Sequence, residues 1–390
     1  MPSWMLAWLT VELALHLVVL SAVAAGILVA LGALDHTVGW VGLALLAATD
    51  LAAIPLILRS RRTVVSVGRV LEELDVGEDA PRYPRRQIAF PWLMLRPRGV
   101  RHIRGVKYAS DGEKPIKLDV YLPQRDHRPG EPLRPAIVQV HGGGWILGTR
   151  KEQGIPLLNH LAANGWVGFN IDYRLSPFAT WPDQIVDVKR AIAWVREHAA
   201  DYGVDPSFIA ITGGSAGGHL SALAGLTAND PAFQPGFESA DTSVAAAVPF
   251  YGVYDLVDDD AIHNPVVFSW VLEPVVFKAR RRTARERFEA ASPAYRIHPG
   301  APPFFVIHGE HDSLVPVQEA RRFAARLRDT SREPVLYAEM QGGQHAFDVI
   351  PSWRTVPVVE AIERFLHTVH RTRSAGAGET AERLDEALTD

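Results

Sequence analysis

The chain of 390 residues contains no cysteine, which excludes disulfide bonds, a thiolate nucleophile and any metal site that depends on cysteine. It also lacks the H-E-x-x-H pattern of metalloproteases, the Walker loop and the G-x-G-x-x-G fingerprint of dinucleotide-binding folds. The formal net charge of -4 gives no electrostatic reason to expect a nucleic-acid partner. Metalloprotease and nucleotide-dependent functions therefore have little support.

Two long apolar runs occupy the amino end. Residues 4–34 are almost wholly apolar, and residues 38–58 form a second run. Each run is long enough to cross about 30 Å of hydrocarbon as a helix. We therefore predict a transmembrane helical hairpin over residues 1–62. The polar residues of the first run are Thr10, Glu12, His16 and Ser21.

Two other interpretations of these runs exist. A secretory signal is disfavoured because no Lys or Arg precedes the first run and because a second apolar run follows it. A pair of helices buried in a soluble core remains an alternative, since core helices are also apolar all round. In the membrane interpretation, Arg59, Arg61 and Arg62 follow the second run, whereas the turn between the runs has no Lys or Arg. The positive-inside rule then predicts a two-span membrane protein whose amino terminus and whose long chain after residue 62 are both cytoplasmic.

Two acidic residues interrupt the apolar runs. Glu12 and Asp50 are costly in lipid and need a partner. A hairpin that turns near Asp35 brings Glu12 level with Arg59, so we predict that these two residues pair.

Beyond the hairpin, strand-like and helix-like runs alternate. Residues 63–97 are predicted to be a linker that contains a short amphipathic helix over residues 64–74 and an apolar stretch at residues 91–95. The predicted strands cover residues 100–108, 116–122, 136–140, 167–173, 208–212, 244–251, 304–308 and 335–339. The predicted helices cover residues 155–164, 183–199, a stretch after Ser215, 317–328 and 357–370. This order predicts an α/β domain over residues 98–370, with a doubly wound, mostly parallel sheet and its site at the carboxyl ends of the strands.

Two segments lie outside the alternation. Residues 254–303 have an apolar half, VVFSWVLEPVVF, and a basic half, KARRRTARER, and are predicted to cap the site. The arginines are interpreted as a solvated helix face, with contact to anionic headgroups as the alternative. Residues 371–390 are small and acidic and are predicted to be a flexible tail or a frayed helix.

The sequence around Ser215 is typical of a nucleophile. Residues 208–212 are β-formers, and Gly213-Gly214-Ser215-Ala216-Gly217 leads from them into a helical run. This is the G-x-S-x-G elbow in its strand-turn-helix context. A purely structural glycine turn is the alternative.

A serine nucleophile needs a general base and an orienting carboxylate. Asp312 follows the strand at residues 304–308, and His345 follows the strand at residues 335–339. We predict Asp312 as the acid and His345 as the base, in the chain order of α/β hydrolases. The competing candidates are Glu310, His308 and His311.

The sequence His141-Gly142-Gly143-Gly144-Trp145 directly follows the buried strand at residues 136–140. Three glycines allow the backbone to aim N–H groups at one oxygen, and the amide of Ala216 would join them in an oxyanion hole. A plain glycine turn is the alternative.

Together, HGGGW, GGSAGG, HGEHDSLVP, GGQHAF and DYRLSP resemble the hormone-sensitive-lipase-like esterases of the α/β-hydrolase superfamily over residues 98–370. The resemblance implies the α/β-hydrolase fold, with a triad of Ser215, Asp312 and His345. It implies that the oxyanion amides come from Gly143, Gly144 and Ala216 and that His141 and Gly142 support the loop. Many members have an acidic residue before the serine, whereas this chain has Gly214, which is more like the acetyl- and feruloyl-esterase or kynurenine-formamidase-like branch.

These observations predict a membrane-anchored serine carboxylesterase or lipase. The expected partners are a small ester substrate, with a lipid ester as one candidate, and the bilayer. No cofactor and no metal are expected, and the oligomeric state is left open. The alternatives are an amidase or formamidase that uses the same triad and a non-catalytic receptor on a hydrolase scaffold.

Overall fold

A single eight-stranded sheet organises the chain. In the computed structural model, residues 2–72, 81–91 and 99–389 are described, with residues 2–6 and 376–389 as backbone alone. The strand order is β1-β2-β4-β3-β5-β6-β7-β8; the first two pairings are antiparallel and the others are parallel. The strands are β1 (Val100–Asp111), β2 (Lys114–Pro123), β3 (Arg134–Val140), β4 (Val167–Ile171), β5 (Val204–Gly214), β6 (Ala246–Phe250), β7 (Phe304–Gly309) and β8 (Val335–Met340).

Each predicted strand overlaps an observed one. The central strands β3 and β5 are buried on both faces, because their side chains are apolar without alternation. The first two strands alternate more and lie at the antiparallel edge of the sheet, as predicted. The predicted doubly wound, mostly parallel sheet is therefore confirmed.

Helices cover both faces of this sheet. Apolar side chains of α7, α8 and α11 belong to the core on one face, and those of α4, α6 and α12 belong to the core on the other. The helices are α1 (Pro2–Glu12), α2 (Ala14–Ala30), α3 (Thr37–Arg61), α4 (Thr63–Glu72), α5 (Arg86–Ala89), α6 (Ile155–Ala163), α7 (Asp183–Glu197), α8 (Ala216–Leu226), α9 (Pro265–Val267), α10 (Arg285–Ala291), α11 (Val317–Thr330) and α12 (Thr355–Thr389). Helix α9 continues as a π-helical segment, Phe268–Phe277. Residues 99–370, which carry the sheet, are called the sheet domain below.

The first apolar run does not form one continuous helix. It is divided at Leu13, where α1 ends and α2 begins. Leu13 has φ −105° and ψ 13°, although its amide still donates to the Leu9 carbonyl at 3.0 Å. Trp8 and Glu12 on α1 are hydrogen bonded to the sheet domain. Among the described residues, one helical stretch is long and apolar enough to cross a membrane, Thr37–Glu72, which comprises α3 and α4. Helix α2 is a shorter apolar helix of 17 residues.

The predicted pairing of Glu12 with Arg59 is wrong. Glu12 forms a buried ion pair with Arg354, which precedes α12. Helix α1 contacts α3 as well as the sheet domain, and the Glu12 side chain at its end reaches Arg354 rather than Arg59. The other acidic residue, Asp50, accepts hydrogen bonds from the Ser21 hydroxyl at 2.7 and 2.8 Å.

The linker and the tail are partly described. Helix α4 buries Val67, Val70 and Leu71, as predicted for an amphipathic helix. Residues 73–80 of the linker and residues 92–95 of the apolar stretch lie outside the described residues. The last helix, predicted to end near His370, continues to Thr389, which fits a tail rich in Ala, Glu and Leu without proline.

Candidate active site

The nucleophile elbow lies where β5 ends and α8 begins. Ser215 has φ 59° and ψ −119°, a strained conformation for a residue with a side chain. The flanking glycines are required by close backbone approach: a Cβ at Gly213 would lie 2.6 Å from the carbonyl oxygen of Val140, and one at Gly217 would lie 2.1 Å from it. The conformation and the two glycines therefore match the geometry predicted from G-x-S-x-G.

The predicted acid and base lie together at the carboxyl ends of β7 and β8. His345 Nδ1 is 2.6 Å from Asp312 Oδ2. The other carboxylate oxygen accepts the backbone amides of Leu314 and Val315 at 2.8 and 2.9 Å. The carboxylate is thus fixed by its own loop while it orients the imidazole.

The environment keeps Asp312 ionised. Burial by itself would raise the pKa of this carboxyl, but the neighbouring His345 and the hydrogen bonds from His308 and His345 outweigh it and hold the pKa well below its usual range. His308 Nε2 is 3.2 Å from Asp312 Oδ2. Of the other competitors, Glu310 accepts the amide of Gly342, and His311 is a mostly exposed neighbour of Glu310. The structure therefore brings His345 to Asp312 and not to Glu310.

Gln344 links the two loops, which the sequence did not reveal. Its Oε1 accepts the amide of Ser313 at 2.7 Å and the amide of His345 at 3.0 Å. The loop that carries the acid is thereby fastened to the loop that carries the base. The feature of the sequence that points to this role is the position of Gln344 directly before His345.

The HGGGW loop lies against the elbow. A Cβ at Gly142 would lie 3.1 Å from Ser215 Cβ, and the Gly142 amide donates to Gln153 Oε1 at 2.7 Å. Gly143 and Gly144 have φ of 116° and 60°, which glycine adopts without strain. Because Gln153 occupies the Gly142 amide, the two following glycines are the candidates for oxyanion donors.

His141 braces this loop from below. Its ring stacks on Tyr173 with centroids 4.3 Å apart, and Tyr173 donates its hydroxyl to the His141 carbonyl at 3.0 Å. Burial lowers the pKa of His141, so the ring is neutral near pH 7. Its Nδ1 then donates to the Gly142 carbonyl at 2.8 Å, which fixes the peptide that begins the glycine run.

Trp145, at the end of the motif, connects the loop to the capping segment. Its Nε1 donates to His219 Nδ1 at 3.1 Å, and His219 Nε2 donates to the Ala291 carbonyl at 2.8 Å. Burial lowers the pKa of His219 to about 4, so the ring is neutral and has one donor and one acceptor nitrogen. This relay was not predicted from the sequence.

The packing around Gly214 explains the missing acidic residue. A Cβ at this position would lie 2.6 Å from the Tyr251 hydroxyl oxygen. Tyr251 donates that hydroxyl to Asp348, and its ring centroid is 4.6 Å from that of His345. A tyrosine therefore fills the space between the elbow and the histidine, and a side chain at 214 would displace it.

The predicted cap, residues 254–303, packs on the loops around the site. Phe277 stacks on Trp181 with centroids 5.6 Å apart, and the Trp181 amide donates to the Val276 carbonyl. Arg281 and Arg285 form ion pairs with acidic residues of the same segment. Several of the cap arginines are therefore partnered within the cap.

A buried histidine fastens the cap to α11. His263 Nδ1 lies 3.0 Å from Asp258, and His263 Nε2 lies 2.6 Å from Glu319. Burial by itself would lower the pKa of His263, but the hydrogen bonds and charges of the two carboxylates raise it to about 9. His263 is therefore a cation at neutral pH, held by the side chains of Asp258 and Glu319. Across residues 2–72, 81–91 and 99–389, no group of three or more His, Asp or Glu side chains is arranged to hold a metal ion.

Comparison with known proteins finds similarity to esterases. A family model described as BD-FAE matches residues 118–327. A probable carboxylic ester hydrolase of Mycobacterium tuberculosis, LipM, is 47% identical over 326 residues, which cover 78% of this chain and 74% of that protein. The esterase LipQ of the same organism is 47% identical over 268 residues, which cover 69% of this chain and 62% of LipQ. The solved structure of a thermophilic esterase from Thermogutta terrifontis with butyrate bound is 29% identical, with a TM-score of 0.58, and the match covers 70% of this chain and 95% of that one.

Proposed function

Because the chain belongs to the BD-FAE family of α/β-hydrolase esterases, we propose that it is a membrane-anchored serine carboxylesterase with Ser215, His345 and Asp312 as its triad. Its relatives establish a carboxylic ester hydrolase; the anchor and the residues are the proposal. The observation that carries it is the 2.6 Å contact of His345 with Asp312 at the sheet edge that holds the strained Ser215 elbow.

In the proposed reaction, each group of the site acts once while the acyl-enzyme forms and once while it is hydrolysed. Asp312 holds the Nδ1 proton of His345, which leaves Nε2 to accept the Ser215 hydroxyl proton as the oxygen attacks the ester carbonyl. The amides of Gly143, Gly144 and Ala216 stabilise the negative oxygen that develops. His345 then returns the proton to the departing alcohol, and water hydrolyses the acyl-enzyme by the same steps.

A substrate panel on the full-length protein tests this assignment. Wild type should hydrolyse carboxylic esters and Ser215 should be labelled by a fluorophosphonate, whereas Ser215→Ala should do neither. Matched ester and amide substrates separate an esterase from an amidase with the same triad. Hydrolysis by Ser215→Ala at the wild-type rate would refute the assignment.

We propose that α2 and α3 form the membrane anchor. They belong to the first of four proposed segments of the chain, residues 1–62. Their apolar side chains are exposed, among them Leu20, Leu28 and Leu45, as expected for a surface that faces lipid. Helix α1 and the arginines at the end of α3 both contact the sheet domain, which supports a hairpin with both ends on one side. The linker (63–97), the catalytic domain (98–370, with its cap at 254–303) and the tail (371–390) complete the proposed division.

The orientation of the hairpin can be measured directly because the chain has no cysteine. We propose a cytoplasmic catalytic domain, from the arginines that follow α3. A single thiol introduced as His36→Cys should react with an impermeant maleimide outside the cell, and one introduced as Arg373→Cys should react only after lysis. The reverse pattern would contradict the proposed orientation.

The cap suggests where the substrate comes from. Val266, Val267 and Trp270 are exposed on it, with Trp270 74% exposed, so an apolar surface lies on the segment that covers the site. We propose that the substrate is an ester that partitions into lipid. The relative with bound butyrate supports a short acyl group. Rates of hydrolysis of micellar and monomeric esters with the same acyl length distinguish a lipid-borne substrate from a water-soluble one. An enzyme that acts on lipid-borne esters should hydrolyse the micellar form faster.

A further inference from the structure

The loop that carries His345 is in contact with the amino end of the chain. This histidine loop, residues 341–354, joins β8 to α12. Helix α1 is separated from it by more than 300 residues of sequence, yet two of its side chains bond to the loop. Helix α1 and the histidine loop both lie outside residues 118–327, which the family model matches, so the contacts between them are a feature of this chain's own structure.

The first contact is made next to the catalytic histidine. Trp8 Nε1 donates to the carbonyl oxygen of Ala346 at 2.8 Å. Ala346 has φ 61°, in the left-handed region that disfavours a residue with a Cβ. A strained peptide directly after His345 is therefore held in place by a donor from α1.

The second contact joins both ends of the loop. Glu12 and Arg354 form an ion pair in which each side chain is only 1% exposed. Arg354 Nη2 also donates to the carbonyl oxygen of Gln341 at 3.3 Å, so one guanidinium connects the last residue of the loop to the first. Since a buried guanidinium without an anion is strongly unfavourable, Glu12 keeps this connection in place.

Glu12 has a further bond, and α3 adds its own contacts. The Ser352 hydroxyl donates to Glu12 at 3.0 Å. The Arg61 guanidinium lies over the Trp353 ring, 5.4 Å from its centroid. A Cβ at Gly342 would lie 3.4 Å from Arg59 Cδ, so the end of α3 also packs against the loop.

The loop that carries the acid is held differently. Asp312 accepts the amides of Leu314 and Val315, and the neighbouring Ser313 donates its amide to Gln344 of the histidine loop. Among the described residues, the bonds from α1 are therefore made to the loop of the base and reach the loop of the acid only through it.

We propose that Trp8 and Glu12 are positioning residues for His345, so that docking of α1 on the histidine loop sets the rate of ester hydrolysis. This inference rests on the proposed role of His345 as the general base. Neither residue touches the substrate; they act through the backbone of the loop. The amino-terminal segment is then a part of the catalytic apparatus as well as an anchor.

The test uses full-length protein in detergent micelles and the pair Trp8→Phe and Trp40→Phe. Trp40 Nε1 also donates to a backbone carbonyl, that of Leu34, but within the hairpin turn, so it is a matched control. We expect Trp8→Phe to lower kcat about tenfold, since small displacements of a catalytic group are costly. KM should change less than about twofold, because the substrate contacts are intact. Amide hydrogen exchange should increase across residues 341–354, and Trp40→Phe should change neither kcat nor this exchange.

Glu12→Gln tests the second contact and should also lower kcat. Because this variant leaves Arg354 buried beside a neutral partner, the double variant Glu12→Gln with Arg354→Met removes the charge imbalance. We expect it to restore the melting temperature and to keep kcat low.

The results separate this inference from the proposed function. If Ser215→Ala and His345→Ala are inactive while Trp8→Phe and the double variant hydrolyse esters at the wild-type rate, positioning by α1 is overturned and the triad stands. If Ser215→Ala or His345→Ala hydrolyses esters normally, the proposed function is overturned, and this inference is overturned with it.

Discussion

The sheet domain and the amino-terminal helices bury ionisable side chains in different ways. In the sheet domain they pair with one another: Asp312 with His345, and His263 with Asp258 and Glu319. In the helices, the half-buried Asp50 accepts hydrogen bonds from the Ser21 hydroxyl, and the buried Glu12 pairs across the boundary with Arg354.

The two parts therefore differ in where their buried charges find partners. Asp312 and His263 have their ionic partners inside the sheet domain, whereas Arg354 takes its anion from α1. Arg354 lies on the histidine loop, so the amino-terminal helices and the sheet domain meet at the loop that carries the proposed base. Substitutions in the two parts should therefore differ in which quantity they change, activity or stability.

The largest effect is expected in the sheet domain, at Ser215. Without its hydroxyl no acyl-enzyme can form, so Ser215→Ala should lower kcat by a factor on the order of 10⁴ to 10⁶. Initial rates with a chromogenic ester measure this. Ser207→Ala, at an exposed serine on the same strand, should keep the wild-type rate. Residual hydrolysis near wild type would place the chemistry elsewhere.

The next largest effect is expected where the two parts meet. Glu12→Ala leaves the Arg354 guanidinium buried and unpaired, which should lower the free energy of unfolding by about 3 to 5 kcal/mol. Thermal unfolding in detergent measures this loss. Glu113→Ala, at an exposed turn between β1 and β2, should change the same quantity by less than about 0.5 kcal/mol. Equal effects at the two positions would contradict a charge pair across the boundary.

A third effect follows from a charge cluster that lies wholly within the sheet domain. The two carboxylates raise the pKa of His263 in the folded state to about 9, from an ordinary value of about 6.5, so its stabilisation is fully present below pH 6.5 and is lost as the pH rises through 9. The loss should be about 3 kcal/mol. Unfolding in urea from pH 6 to pH 10 should show this decline in wild type.

His263→Gln should be less stable at pH 6 and should lack this part of the decline. His311→Gln removes a histidine that is 55% exposed and should leave the wild-type profile unchanged. A decline of the same size in His263→Gln would assign it to another group.

The sequence could predict the site residues that lie at strand ends and the glycines that close backbone approach requires. Asp312 and His345 were assigned because each follows a strand of a parallel sheet, and such ends meet at one edge. Gly213 and Gly217 were recognisable because the elbow leaves no room for a side chain. Each of these features is recognisable from neighbouring residues in the chain, and the topology of a parallel sheet then places them at the same edge.

The remaining features depend on contacts that no local pattern specifies. Glu12 and Arg354 are 342 positions apart, and either would suit many partners. The break at Leu13 has no proline or glycine beside it, so no local sequence signal marks it. Gly214 was noted as a departure from the pattern, but its reason, the hydroxyl of Tyr251, comes from a different strand end.

The smallest effect is expected within the hairpin, at Asp50. Asp50→Asn keeps an acceptor for the Ser21 hydroxyl, and bonds between helices in membranes contribute about 1 kcal/mol, so the free energy of unfolding should change by no more than that. Because Asp50 pairs within the hairpin and Glu12 pairs with the histidine loop, kcat should stay at the wild-type value in Asp50→Asn and fall in Glu12→Gln. Initial rates and thermal unfolding in the same detergent measure both quantities, with Thr49→Val as the control for a hydroxyl that bonds only inside its own helix. A fall in kcat for Asp50→Asn as large as that for Glu12→Gln would mean that any disturbance of the hairpin reaches His345, and the distinction between the two acidic residues would be lost.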